Sequence, residues 1–137
     1  MIDVVEGGLY LPADASPRQA LADVPKQLEL RYLRRFDAAD FAKATLDGVS
    51  RNVPAEVYAR VVERLRSFNT FYRDVQKGDR YALTYVPGAG TTLALNGRPL
   101  GTIEGADFAA ALFTIWLGAK DPMDASFRLA LLGEGAR

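Results

Sequence analysis

Residues 105–118, GADFAAALFTIWLG, constrain the chain more than any other stretch: they read as a helix, yet apolar residues occur on every side of it. Such a helix belongs deep in a core and not on a surface. The rest of the 137 residues must therefore supply layers that enclose it. Just ahead of it, TLALNGRPLGTI, residues 92–103, reads as strand, two-residue turn, strand, because Asn96 and Gly97 both accept the positive φ of a tight hairpin. A sheet facing an apolar helix is either a closed core or the wall of a pocket for an apolar ligand.

Upstream segments extend both layers. DRYALTYVP places Tyr81, Leu83 and Tyr85 on one face, which with the hairpin predicts three consecutive antiparallel strands. QLELRYLRR alternates Leu28, Leu30 and Tyr32 with Glu29 and Arg31, a half-buried strand. Residues 2–11 read as another, with Gly7-Gly8 inside it and Pro12 behind it. Asp37 followed by Asp40 resembles a capping box, ahead of a helix with Phe41, Ala44, Gly48 and Val49 on one face. From Pro54, Val57, Val61, Leu65, Phe68, Tyr72 and Val75 recur at three- and four-residue steps, so the period predicts one helix running to a stop at Gly78. Two short helices are also predicted: one through residues 16–24, opened by Ser16-Pro17, and one in residues 121–133, capped by Asp121 or Asp124. Together these make a single α+β domain over residues 1–137, an antiparallel sheet covered on one face by helices.

The chemistry is narrowed by what is missing. Neither cysteine nor histidine occurs, which removes disulfides, thiolate nucleophiles, Ser-His-Asp chemistry and the usual zinc and haem ligands. Seventeen basic residues balance 17 acidic ones, so no overall field draws nucleic acid or an anionic membrane, and any bound anion has to be met by local groups. No stretch has the length of a membrane span and the N-terminus lacks the features of a signal peptide; a soluble chain is expected, compatible with cytoplasm or periplasm alike. The glycines of PGAGTTLALNG lack the Lys-Ser/Thr ending of a phosphate loop, and Asp121 and Asp124 read as helix caps, not as a metal pair. Arg31, Arg34 and Arg35 could clamp a carboxylate with paired hydrogen bonds, or form surface ion pairs with Glu29 and Asp37. Phe41, Tyr81, Tyr85, Phe108, Leu112, Ile115 and Trp116 could line a pocket or simply fill a core.

Four blocks, GGLYLPA, LELRYLRRFDAADFAKA, KGDRYALTYVPGAGTTLALNGRPLG and GADFAAALFTIWLG followed by LLG, resemble in order and spacing the bacterial chalcone isomerase-like family, over nearly the whole chain. The resemblance implies an open-faced β-sandwich, a large antiparallel sheet under a helical layer with a ligand cleft between them. That family holds plant enzymes that close a chalcone to a flavanone, and relatives without that activity, some of which bind fatty acids. The enzymes' threonine, tyrosine, asparagine and late Ser/Thr fall here on Val5, Phe41, Gly48 and Ile115, all apolar or without a side chain. The resemblance thus implies the non-catalytic branch, with no catalytic residue. The family's N-terminal Gly-x-Gly-x-Arg hairpin has no counterpart before the first strand; GEGAR, residues 133–137, is either a rearranged copy that sets Arg137 near that strand or a tail that happens to match. The expected function is binding of a hydrophobic, acidic small molecule such as a fatty acid in the cleft between sheet and helices, with neither cofactor nor metal. The residues expected to hold it are Val5, Tyr10, Arg31, Phe41, Tyr81, Tyr85, Phe108, Leu112, Ile115, Trp116 and Arg137. A residual chalcone isomerase and a structural domain whose cleft is filled by its own side chains are the alternatives.

Overall fold

Strand alternation decides the layering. A computed structural model describes residues 5–15 and 20–117. Its elements, in chain order, are β1 (Val5–Tyr10), β2 (Lys26–Tyr32), α1 (Ala38–Asn52), α2 (Ala55–Asn69), β3 (Arg80–Val86), β4 (Gly90–Leu95), β5 (Arg98–Ile103) and α3 (Ala106–Leu117). The five strands form one sheet in the order β1-β2-β3-β4-β5, antiparallel at every junction. Register aligns Leu9, Leu28, Leu83 and Leu93 across four strands on one face, and Tyr10, Gln27, Thr84, Thr92 and Thr102 across five on the other. Directly paired residues share a face, so the leucine row meets the core and the tyrosine-threonine row points outward. Leu28, Leu83 and Leu93 are buried accordingly, while Tyr10 and Thr102 are exposed.

The helices cover the leucine face. Helix α3 packs against α1, α2 and β4, and buries Phe108, Leu112, Phe113, Ile115, Trp116 and Leu117 among them. This is the enclosure its composition demands. The start of α1 is fixed by polar groups: the Asp37 amide donates to Asp40 Oδ2 at 3.0 Å, and the Ala38 amide to Asp74 Oδ1 at 2.8 Å. At the β4–β5 turn Asn96 and Gly97 take φ of 51° and 82°, as a tight hairpin with two left-handed residues requires.

Three expectations about extent are corrected. Helix α2 ends at Asn69 and not at Gly78. The Arg73 guanidinium donates to the carbonyls of Thr70, Phe71 and Tyr72 at 3.2, 2.9 and 3.1 Å, and the Thr70 hydroxyl donates to Ser67 O at 2.7 Å. Side chains thereby meet the carbonyls that a longer helix would have paired. Beyond the turn, Val75 bridges to Phe36, and Tyr72 and Val75 stay buried, so the core continues where the helix does not. Gly78, at φ +94°, instead turns the chain into β3 and donates its amide to Tyr32 O at 2.8 Å. Residues 20–24 run through turns, not the predicted helix, because Pro25 disfavours helical backbone at Val24. The first strand, expected over residues 2–11, ends at Tyr10 and not at Leu11, and its expected residues 2–4 lie outside the described residues. The helix expected within residues 121–133, with Asp121 and Asp124, lies outside the described residues.

Candidate functional site

Two places bear on function: the interior between α1 and α3, and a groove where β1, β2 and β3 end. In the interior, Gly48 faces Ile115 so closely that a Cβ on the glycine would lie 3.0 Å from Ile115 Cγ1. Two turns earlier on α1, the half-buried Phe41 stacks on Tyr72 with ring centroids 5.4 Å apart and meets Tyr81 and Tyr32 edge-on at 5.2 and 5.3 Å. Thr45 Oγ1 lies 2.6 Å from the Tyr72 hydroxyl and donates to Phe41 O at 2.8 Å. The Tyr81 hydroxyl accepts from the Arg73 amide and donates to the Arg73 carbonyl, both at 2.8 Å.

These phenols stay protonated. Burial raises the pKa of Tyr32 and Tyr72 far above the ordinary phenol value; neighbouring phenols add to the shift, and the Thr45 hydrogen bond offsets only part of that of Tyr72. Tyr81 moves the same way, chiefly through burial and against its Arg73 hydrogen bond. The Tyr72 and Tyr81 hydroxyls are neutral and already hydrogen-bonded, to Thr45 and to the Arg73 backbone, so neither serves as a base.

The residues expected at the site are thus divided. Phe41 and Tyr81 meet in one aromatic cluster; Phe108 packs on Phe68 at 5.8 Å; Leu112, Ile115 and Trp116 lie buried on α3. Tyr85 lies further along β3 on the same inner face, paired with Lys26. Tyr10 and Arg31 belong to the outer face and are exposed, so they do not join that interior. Of the clustered arginines, Arg35 pairs with Asp37 at 2.9 Å and Asp74 at 3.5 Å, and the Arg34 guanidinium lies 4.1 Å from the Phe36 ring centroid. Those contacts of Arg34 and Arg35 are surface pairing and stacking. Val5 pairs in register with Tyr32, and Arg137 lies outside the described residues.

The groove is lined by Tyr10, Leu11, Pro12, Pro25, Lys26, Gln27, Thr84, Tyr85 and Val86 and holds ≈ 310 Å³. Tyr10 and Val86 are the exposed large hydrophobic side chains among the described residues, at 56% and 46% exposure, and both stand on this groove. Lys26 is buried, with only 4% of its surface exposed, and its Nζ donates to Ala22 O at 2.8 Å and lies 5.5 and 5.2 Å from the ring centroids of Tyr85 and Phe113. Desolvation outweighs the attraction of Asp23 and lowers its pKa to about 8. The Tyr85 hydroxyl donates to Asp23 Oδ1 at 2.5 Å; desolvation first, then that hydrogen bond and charge, raise it to about 12. Sequence reasoning found Tyr10 and Tyr85 but missed Lys26 and Asp23. The signal was present in the alternation, since Lys26 shares the inward parity of Leu28, Leu30 and Tyr32.

Among the described residues no group of acidic side chains could hold a metal ion, and no helix is long and apolar enough to cross a membrane. An antiparallel sheet with one leucine face under three helices and one face open defines an open-faced β-sandwich. The chain belongs to the chalcone isomerase-like family, whose model matches residues 1–133. The crystal structure of a fatty-acid binding protein of Arabidopsis thaliana is similar in fold, with a TM-score of 0.71 and 16% sequence identity, over 97% of this chain and 78% of that one. No curated protein sequence matches the chain.

Proposed function

We propose that this protein binds a hydrophobic, acidic small molecule of the fatty-acid kind and carries out no reaction on it. The observation that carries this reading is the groove, where Tyr10 and Val86 hold apolar surface open to solvent beside Leu11, Pro12 and Pro25. Apolar surface gathered in a concavity favours an apolar guest, at about 0.8 kcal/mol for each methylene buried. The fatty-acid binding of the Arabidopsis protein of like fold supports the ligand class. Hydrocarbon at Phe41, Gly48 and Ile115 supports binding without conversion, since the enzyme positions of the family offer no polar group there.

The purified protein is expected to release long-chain acids on organic extraction, seen by mass spectrometry, and to melt at higher temperature when such acids are added. A clean extract together with an unmoved melting curve overturns the reading. That result would favour the structural domain with a filled interior, a reading supported by Leu28, Phe108, Leu112 and Phe113, which are already fully buried in one core. Loss of a chalcone's visible absorbance faster than in buffer would instead revive the isomerase.

A further inference from the structure

Lys26 is the one charged side chain buried among the described residues, and nothing in the fold's architecture calls for a charge there. It occupies a position whose neighbours along β2, Leu28 and Leu30, are leucines packed in the core. A buried ammonium is costly unless a counter-charge and hydrogen bonds compensate it. The Ala22 carbonyl takes one of its three donors. The groups that face it from the packed elements are Asp23 from the preceding loop, Tyr85 from β3 and Phe113 from α3, with Tyr10 of β1 on the same groove. Of these only Asp23 carries a charge, and its Oδ1 already accepts from Tyr85. The ammonium is held by one carbonyl, two ring faces and the attraction of Asp23, and it stands at the wall of a groove whose other walls are mostly apolar.

We propose that Lys26, on the inner face at the first residue of β2, anchors the carboxylate of an amphiphile that bends around the strand ends, so that its tail lies along Pro12, Tyr10 and Val86 on the outer side. This assignment rests on the binding reading above and names its polar contact. An anion at Lys26 would add a direct counter-charge to the attraction of Asp23, and the chain's zero net charge leaves the holding of anions to local groups of this kind. The groove is shallow and open to solvent at ≈ 310 Å³, so it would take a head group and the first part of an acyl chain against its wall and leave the rest in water. The lowered pKa agrees: a bound anion stabilises the protonated amine, so binding takes up a proton once the free protein begins to lose it near pH 8.

The test compares dodecanoate with dodecanol by titration calorimetry, on the wild type, Lys26→Met and Val86→Glu. Lys26→Met is expected to weaken dodecanoate about ten- to a hundredfold and leave dodecanol within about twofold, as loss of one charge-assisted contact predicts. Wild-type affinity for dodecanoate is expected to fall from about pH 7 to about pH 10 while that for dodecanol stays level, because only the first needs the charged amine. Val86 is exposed, so Val86→Glu keeps the fold and is expected to repel dodecanoate at the groove's rim even should Lys26→Met fail to fold. Equal binding of dodecanoate by all three proteins, or a level pH profile, overturns the anchor while the binding reading stands. A wild type that binds neither compound overturns both.

Discussion

At the residue scale, Gly48 shows how one missing side chain shapes what the molecule can do. A Cβ there would lie 3.0 Å from Ile115 Cγ1, so any side chain at this point would crowd the contact between α1 and α3. Gly48→Asn, which restores the amide that the enzymes carry, is expected to overpack the contact and destabilise the protein by about 1–3 kcal/mol, measured by urea denaturation. Shortening the partner in Gly48→Asn/Ile115→Ala should recover part of that loss; a double variant no more stable than the single one would show that the crowding lies elsewhere. The apolar character of Phe41, Gly48 and Ile115 was legible in the sequence. Their packing was not, because spacing along two helices does not fix the distance between them. Lys26 escaped notice for a different reason: it is a charged letter in an inward position, and composition argues for the surface where parity argues for the core.

At the scale of elements, the strands followed from alternation and the Asn96-Gly97 turn, and the core helix from its apolar composition, and the end of α2 did not follow from its period. Phe68, Tyr72 and Val75 keep a helical spacing across a point where the backbone has already left the helix. Burial is selected by position in the core, so an extended segment passing under the same neighbours can continue a helix's pattern. What closes α2 is Arg73, a residue whose role depends on three carbonyls made available only by the turn. Arg73→Ala is expected to lower stability by about 1 kcal/mol, the order of the net hydrogen bonding lost. A urea midpoint unchanged within error would assign the helix end to the Thr70 hydroxyl instead, which donates to Ser67 O.

At the scale of the whole molecule, the helical layer is fastened to itself by Arg64 and Asp107, which join α2 to α3 through two parallel contacts of 2.8 Å each. The hydrogen bond from Arg64, more than the Phe108 amide, holds the Asp107 carboxyl down at about 2. A depressed carboxyl contributes stability that is complete above its unfolded value near 4 and is lost as pH falls through about 2. Both side chains are a third or more exposed, at 34% and 43%, so solvent screening limits the contribution to about 1 kcal/mol or less. Stability measured by urea between about pH 5 and pH 2 should fall less steeply in Asp107→Asn than in the wild type; identical slopes would mean that the pair adds nothing. The α+β architecture and the family were readable from four blocks of sequence, since both rest on element order. The groove was not, because it joins residues near 10, 25 and 85, which only the sheet's register brings together.

Strand order that repeats chain order has a kinetic consequence. Pairs β1–β2, β3–β4 and β4–β5 each close over short connections, and only β2 with β3 must wait for residues 33–79, the segment that contains both α1 and α2. Closure entropy grows slowly with loop length, and a segment that has already coiled into two packed helices behaves as a shorter tether than its residue count suggests. The longest closure in the sheet is thus the single junction between an N-terminal ribbon and a C-terminal meander, and the seam where they join runs through Lys26 and Tyr85.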